Sequence, residues 1–192
     1  MRSPQSGKYV ADCVVHEMAD EEVNSVNGVE TPSDCAAENA QKPFLGFTGC
    51  YDHGIDTKGR MIIPAAFREA LGSPFVAGLT LDMKAIALYP ISEWVRQQEM
   101  LQKLLEKDMR MQKLIDRISK YSFCDSEMDA QGRLLLPGKL RNMILRDTHD
   151  VEISGARTHI RIVSAETAAQ EEEEFERDVP DVLSFIAEIQ NK

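Results

Sequence analysis

Two copies of a short motif carry the side chains best suited to bind a charged ligand in this chain of 192 residues. The first copy runs from Asp56 to Arg68 and the second from Asp129 to Arg141, 73 residues apart. In both copies an Asp, a Gly-Arg pair, an apolar triplet, a Pro, an apolar residue and a final Arg keep the same register. An arginine at the tip of a turn can bind phosphate oxygens, or donate two hydrogen bonds to O6 and N7 of guanine. The motif therefore indicates anion recognition rather than catalysis.

The first turn contains two residues that can shape it and two that can contact DNA. Asp56 can accept a hydrogen bond from the backbone two residues on, and Gly59 can adopt a positive φ angle. Arg60 projects from the turn, and Lys58 beside it adds a phosphate contact. The equivalent positions of the second turn are held by Asp129, Gln131, Gly132 and Arg133. Alternatively, the two arginines form ion pairs with Asp56 and Asp129 that brace the hairpins, and the two roles are compatible.

Short strands and one helix must position each turn. Period-two alternation predicts a strand over residues 48–55, with its counterpart at 122–128. The apolar triplet returns from the turn as a second strand, and Pro64 suits the first position of a helix that ends at Gly72. The remaining strands are predicted near residues 75–77, 86–89, 151–153 and 160–163.

The resulting fold class is α+β, with two repeats of strand, turn, strand, helix, strand and strand packed about a pseudo-two-fold axis. The predicted segments are a disordered acidic extension (1–42), a first repeat (43–90), a helical linker (91–120), a second repeat (121–165) and an acidic C-terminal helix or tail (166–192). The linker has apolar residues at helical spacing and a predicted break near Asp108. Its basic residues form either a DNA-facing stripe or a solvated face, the latter supported by the i,i+4 pairs Glu99–Lys103, Glu106–Arg110 and Asp116–Lys120.

A net charge of −10 would repel phosphate if it were spread evenly along the chain. The charge is concentrated at the ends, with −5 over residues 1–42 and −7 over residues 166–192, whereas residues 43–165 carry +2. The repeated core therefore permits DNA binding through a local basic patch. The tail also has an apolar stripe that either docks on a neighbouring subunit or belongs to a frayed acidic end, formed by Val182, Leu183, Phe185, Ile186 and Ile189.

Other functional classes lack the residues that they need. The four cysteines form no Cys-x-x-Cys pair, and Cys50 and Cys124 lie at strand positions where a small buried thiol is ordinary, so reduced cysteines in a cytosolic protein are expected. Cys50 and His53 have half of a zinc-site spacing, without a second half. No phosphate-binding loop, dinucleotide fingerprint, secretory signal or membrane-spanning run is found. We therefore predict no catalytic residue, no cofactor, no metal and no membrane partner.

Three features together resemble the MraZ family, within the AbrB-like swapped-hairpin DNA-binding proteins. They are the two Asp-x-x-Gly-Arg turns, the Ile-Pro-Ala-x-Phe-Arg run at 63–68, and Leu88-Tyr89-Pro90 followed by Trp94. The resemblance implies a bacterial transcriptional repressor, cytoplasmic and associated with the nucleoid, that forms a ring, expected to be an octamer. It implies binding to direct repeats of double-stranded DNA upstream of the division and cell-wall gene cluster, including its own promoter. It also implies that the turns and the following strands contact the DNA.

Two departures from the family pattern weaken the electrostatic case for DNA. The family often carries a basic residue just before the first Gly of the opening strand, where this chain has Phe47-Thr48-Gly49. In the second turn, Gln131 stands at the position equivalent to Lys58. Related hairpin folds also serve as antitoxins, so an antitoxin-like or other protein-interaction module is the alternative functional class.

Overall fold

The computed structural model describes residues 45–146 and 148–190. The extension predicted at residues 1–42 lies outside them, so its predicted disorder is untested. The first repeat contains β1 (Cys50–Gly54), β2 (Arg60–Ile62), α1 (Ala65–Leu71), β3 (Phe75–Leu79) and β4 (Ile86–Pro90). Helix α1 follows Pro64 and ends at Gly72, whose φ is 70°, as predicted. Strand β1 begins later than predicted because Gly49 has a φ of 105°, which interrupts the extended backbone.

The linker forms α2 (Ile91–Lys107), a 3₁₀ turn (Met109–Met111) and α3 (Gln112–Lys120). The predicted break at Asp108 is confirmed, since this residue has extended backbone angles of −152° and 111°. Its carboxylate accepts the backbone N–H of Arg110 at 2.8 Å and so caps the 3₁₀ turn. The break is thus a new helix start rather than a distortion within one helix.

The second repeat contains β5 (Phe123–Ser126), β6 (Arg133–Leu135), α4 (Gly138–Leu140), β7 (Asp150–Gly155) and β8 (Ile160–Ser164). Helix α4 continues into a π-helical turn (Arg141–Leu145), which adds a residue relative to an α-helical turn. The turn ends at Arg146, which has a φ of 54° although it is not a glycine. Arg146 therefore ends the helix of the second repeat in the way that Gly72 ends α1.

Six strands form one antiparallel sheet in the order β1-β7-β8-β4-β3-β5. The first strand of each repeat is exchanged, because β1 pairs with β7 of the second repeat and β5 pairs with β3 of the first. This exchange is the swapped-hairpin architecture, and it confirms the predicted fold class. Because β1 and β5 are the two outer strands, Cys50 and Cys124 are exposed. The prediction of buried thiols at these strand positions was wrong, since an edge strand leaves one side open to solvent.

A separate two-stranded ribbon of β2 and β6 lies against this sheet, with Met61 paired to Leu134. Both side chains are almost fully buried and join one hydrophobic core. Other large members of the same core come from both repeats: Phe47, Ile63, Phe75, Leu79, Leu88, Leu136, Ile153 and Ile162. The two repeats therefore share one interior and stabilise each other.

The C-terminal segment forms one helix, α5 (Ala165–Gln190). Several of its apolar side chains are exposed in the single chain, among them Phe175, Leu183, Phe185 and Ile189. The alternative between docking on a neighbour and a frayed end stays open, since only one chain is described. No helix among the described residues is long and apolar enough to cross a membrane.

Candidate nucleic-acid interface

The outward face of the β2–β6 ribbon presents both turn arginines. Arg60 pairs with Leu135, and Ile62 pairs with Arg133, so these four residues alternate with the buried Met61 and Leu134. Arg60 and Arg133 are therefore diagonal neighbours on one face, and diagonal neighbours in an antiparallel pair lie about 7–8 Å apart, within reach of long side chains. Ile62 and Leu135 are 46% and 61% exposed beside them. The two turns thus contribute to one continuous surface.

The first turn is shaped by Asp56. Its Oδ1 accepts the backbone N–H groups of Lys58 and Arg60, at 2.9 and 2.8 Å, and its Oδ2 accepts Arg60 Nε at 2.7 Å. The backbone N–H of Arg60 is the largest cause that holds the pKa of Asp56 below its ordinary value, and the Arg60 side chain and the N–H of Lys58 add to it. Gly59 has a φ of 82°. The local geometry expected from the sequence is therefore present.

The second turn repeats these bonds and adds one. Asp129 Oδ1 accepts from Gln131 N and Arg133 N, each at 2.9 Å, Asp129 Oδ2 accepts Arg133 Nε at 2.7 Å, and Gly132 has a φ of 76°. In addition, Arg133 Nη2 donates to Gln131 Oε1 at 3.1 Å. Lys58, at the equivalent position, has no acceptor to offer Arg60. Gln131 thus restrains Arg133 in a way that Lys58 cannot restrain Arg60.

The bracing ion pairs that the sequence left as an alternative are formed. Arg60 and Arg133 pair with the aspartates of their own turns at 2.7 Å, and their side chains remain 36% and 38% exposed. Exposed ion pairs contribute little stability, so their main effect is to fix the direction of each guanidinium. Each arginine keeps surface that a ligand can reach. The assignment of Lys58, Arg60, Gln131 and Arg133 as DNA contacts remains a prediction.

Sequence reasoning missed two arginines that complete the turns. A Cβ atom added to Gly59 would overlap the guanidinium of Arg141, and one added to Gly132 would overlap that of Arg68. Arg68 also donates from Nε to the carbonyl of Ile63 at 2.8 Å. Each turn is therefore covered by the arginine that ends the motif of the other repeat. The final Arg of each motif copy was the available sequence signal. The turn that this arginine covers depends on the exchange of strands between the repeats, which the motif alone does not indicate.

Comparison with known proteins places the chain in a family. Residues 47–115 match the family model described as "MraZ protein, putative antitoxin-like". A protein of Moorella thermoacetica named "Transcriptional regulator MraZ" is 37% identical over 144 residues, which cover 74% of this chain and 94% of the relative. The chain belongs to the MraZ family. Two further relatives have the same name. The protein of Natranaerobius thermophilus is 34% identical, and the alignment covers 72% of this chain and 98% of the relative. The protein of Lachnoclostridium phytofermentans is 39% identical, and the alignment covers 62% of this chain and 82% of the relative.

The MraZ family model covers the first turn and most of the linker, but the second turn lies beyond the matched residues. The alignment with the Moorella protein is longer, at 144 residues. The predicted resemblance to the MraZ family is thus confirmed, and the structure adds what the match leaves out: the second turn lies on the same ribbon as the first.

The linker of this MraZ-family chain does not form the ion pairs that the sequence suggested. None of the pairs Glu99–Lys103, Glu106–Arg110 and Asp116–Lys120 is among the ion pairs within the described residues. Arg110 instead binds Asp108, and Asp116 accepts Gln112 Nε2 at 2.7 Å. The Glu106–Arg110 pair does not form because the helix break supplies a nearer carboxylate for Arg110. In the Asp116–Lys120 pair the carboxylate accepts Gln112 instead, and the structure gives no reason for the absence of Glu99–Lys103.

Cationic side chains at the end of the linker pack against the second repeat. Arg117 lies over the ring of Tyr121, with 5.7 Å between the guanidinium carbon and the ring centroid. The same guanidinium approaches the sulfur of Met143 at 3.8 Å. Lys120 also lies over this ring, with 5.6 Å between its Nζ and the ring centroid. This end of the basic stripe therefore has a structural role.

Two titratable side chains of the described sheet region, Cys50 and His149, have close neighbours within the fold. Among the residues that the structure describes, no three His, Cys, Asp or Glu side chains are grouped so that they could hold a metal ion. Although Cys50 is exposed, partial desolvation of its thiol raises the pKa to about 11, and the neighbouring Glu152 carboxylate adds to this rise. His149 is occupied in the fold, because its Nδ1 lies 3.2 Å from the carbonyl oxygen of Ile55. The expectations of no cofactor, no metal and no enzymatic activity remain predictions.

Proposed function

We propose that the protein is a transcriptional regulator that binds double-stranded DNA through the outward face of its β2–β6 ribbon and the two turns beside it. The observation that carries the proposal is the placement of Arg60 and Arg133 on one exposed face of a two-stranded antiparallel ribbon. A ribbon of this kind fits the major groove of B-DNA. The names of the MraZ-family relatives, "Transcriptional regulator MraZ", support the same function.

The side chains of the ribbon suit direct readout. An arginine can form two hydrogen bonds to guanine, and an apolar side chain can contact the methyl group of thymine, so Ile62 and Leu135 complement the arginines. Arg60 is the better reader of the two, because Arg133 is also bound to Gln131. Lys58 supplies a phosphate contact on the first turn. The role of each aspartate is to hold its arginine in a fixed direction before DNA arrives.

Assembly completes the proposal. A single subunit offers one ribbon and a repeated core whose net charge is only +2, so it binds DNA weakly on its own. In a ring, expected to be an octamer, neighbouring ribbons engage successive direct repeats, and the second contact becomes effectively intramolecular. The avidity then raises affinity by about 10²–10⁴-fold without a new type of contact. The DNA site is the set of direct repeats upstream of its own gene, where the cytoplasmic, nucleoid-associated protein acts as a repressor of the division and cell-wall gene cluster.

The second candidate is an antitoxin-like protein-interaction module. It is favoured by the description of the matched family model and by the exposed apolar side chains of α5. In that case DNA binding would depend on a co-purified protein partner. Specific DNA binding by the isolated protein, without a partner, would favour the transcriptional regulator over the antitoxin-like module.

The test is a titration of the isolated protein with DNA from upstream of its own gene, at a stated salt concentration, with the mass of the assembly measured by light scattering. We expect affinity to fall sharply when three repeats are reduced to one, and when the spacer changes by about five base pairs, half a helical turn. Equal affinity for one repeat and three would remove the ring mechanism. Failure to prefer this DNA over an unrelated duplex would contradict the regulator itself.

A further inference from the structure

A cleft lined by two arginines lies beside the first turn. Its volume is about 190 Å³, several times the share of about 30 Å³ that one water molecule occupies in the liquid. One wall is Asp56 and Thr57 of the turn itself, and the other is the segment that follows α4. Its lining residues are Ile55, Asp56, Thr57, Arg141, Asn142, Arg146, Thr148 and His149. The cleft therefore joins the two repeats next to Arg60.

Two arginines of the second repeat line this cleft, Arg141 and Arg146. Arg141 lies over Gly59, and Arg146 follows one turn later with its side chain exposed. The π-helical turn sets their spacing, since Arg146 N bonds to the carbonyl of Arg141 at 3.0 Å. Two cationic side chains thus lie beside the first turn.

The carboxylate in the lining is offset by an arginine outside it. Asp56 forms an ion pair with the Arg60 guanidinium at 2.7 Å and also accepts the backbone N–H groups of Lys58 and Arg60, so the charges of Arg141 and Arg146 are left over. The two walls are also fixed to each other, because Ile55 N bonds to the carbonyl of His149 at 2.8 Å and His149 Nδ1 lies close to the carbonyl of Ile55. The described part of the cleft is therefore a preformed, positively charged recess.

The equivalent positions beside the second turn lack these features. The motif register places Glu69 where Asn142 stands, Ala130 where Thr57 stands, and Gln131 where Lys58 stands. The helix that covers the second turn ends at Gly72 instead of Arg146. The two turns therefore differ in the charge of the residues beside them, with Asn142, Lys58 and Arg146 beside the first turn and Glu69, Gln131 and Gly72 beside the second.

We propose that the Arg141–Arg146 cleft holds a backbone phosphate of the DNA bound at the first turn, so that the second repeat anchors the duplex while Arg60 reads a base. The inference rests on the proposed function. Arginine suits phosphate oxygens because its guanidinium offers several donors in a fixed plane. A phosphate contact fixes the position of the protein on the duplex without sequence information. The cleft therefore adds affinity for all sequences alike.

The test compares Arg146→Gln with Arg157→Gln. Arg157 is a matched control: it is also an exposed arginine at a positive φ, 63° against 54°, and it follows the opposite end of β7. The six residues of β7 separate the two sites by about 20 Å. Binding of the direct-repeat DNA and of an unrelated duplex is measured by fluorescence anisotropy over a range of salt concentrations. Arg146→Lys serves as the rescue variant because it retains the charge.

We expect Arg146→Gln to weaken binding to both duplexes and to reduce the slope of log K against log salt by about 0.9 for each engaged subunit. Arg146→Lys should restore most of the slope, and Arg157→Gln should match wild type. If wild type prefers the direct repeats and Arg146→Gln has the slope of Arg157→Gln, the phosphate cleft is wrong and the proposed function stands. If Arg146→Gln reduces the salt slope but wild type binds both duplexes equally, the phosphate cleft is supported and the proposed function as a sequence-specific regulator is contradicted. Absence of binding to either duplex overturns both.

Discussion

Arg141 of the second repeat lies over Gly59 of the first, in the space that a Cβ atom at residue 59 would occupy. The relationship is mirrored by Arg68 and Gly132. Neither arginine covers the turn that belongs to its own motif. Two features therefore favour glycine at each of these positions: the residue adopts a positive φ, and it leaves room for a guanidinium from the other half of the chain.

Replacement of Gly59 by alanine tests the packing of Arg141 over this residue. Gly72→Ala is the matched control, because Gly72 also has a positive φ but no atom lies within 4 Å of an added Cβ. Backbone strain costs each variant roughly 1–3 kcal/mol of unfolding free energy. The Arg141 guanidinium is the far end of a flexible side chain and can swing aside, so we expect Gly59→Ala to lose no more than about 0.5 kcal/mol beyond this strain. Urea unfolding measures both values, and a loss for Gly59→Ala that exceeds that of Gly72→Ala by more than about 2 kcal/mol would show that Arg141 is held rigidly over Gly59.

Removal of the turn arginines tests the ribbon as a DNA-reading surface. We expect Arg60→Ala to cost about 1–3 kcal/mol of binding free energy per site and to relax the sequence preference. Arg133→Ala should cost less, because Gln131 already holds that guanidinium. Gln131→Lys, which removes the acceptor and adds a charge, should strengthen binding. The measurement is a DNA titration, with light scattering as the control for assembly. If Arg60→Ala binds like wild type while it stays assembled, the arginine is only a hairpin brace.

The turn aspartates predict an acid limit to stability. The pKa values of Asp56 and Asp129 are held below their ordinary value, first of all by the backbone N–H groups of Arg60 and Arg133. A carboxylate with a lowered folded-state pKa stabilises the fold at pH values above its unfolded pKa of about 3.9, and this contribution is lost as the pH falls through the folded-state value. We expect the Asp56→Asn, Asp129→Asn double variant to show a flatter loss of stability below about pH 4.

Asp108→Asn is the positive comparison for this pH dependence: the pKa of this carboxyl is also lowered, mainly by the Arg110 side chain, so its removal should flatten the acid-dependent loss in the same direction without a change at the turns. Thermal unfolding is followed from pH 3 to pH 7 for all three proteins. If the double variant keeps the full acid-dependent loss of wild type, the turn aspartates titrate alike in the folded and unfolded chains.

The Cys50 thiol predicts slow alkylation despite its exposed position. Its pKa is raised to about 11 by partial burial and by Glu152, so at pH 8 the reactive thiolate is a minor species. We expect iodoacetamide to modify Cys50 more slowly than a model thiol, and Glu152→Gln to accelerate the reaction. Peptide mass spectrometry follows each cysteine separately, in a Cys13→Ser, Cys35→Ser background. Modification at the model rate in the wild-type fold would contradict the raised pKa.

Local sequence signals predicted the turns and α1 well, because the hydrogen bonds of Asp56 and the positive φ of Gly59 depend on neighbouring residues alone. The exchange of β1 and β5 between repeats could not be predicted in the same way, because strand pairing joins residues far apart in sequence. The packing of Arg141 over Gly59 and of Arg68 over Gly132 follows from that exchange, and so does the exposure of Cys50. The π-helical turn before Arg146 also has no glycine or proline signal.

The exchanged strands make the chain equivalent to a dimer whose two halves are fused into one polypeptide. In a true dimer, two-fold symmetry would oblige both halves to contact DNA identically and would favour a palindromic site. Here the halves differ, with Lys58 opposite Gln131 and Arg146 in place of Gly72. The two ends of such a unit are therefore different. It can therefore lie on a non-palindromic sequence in a single orientation, and a row of these units would point in the same direction along a promoter.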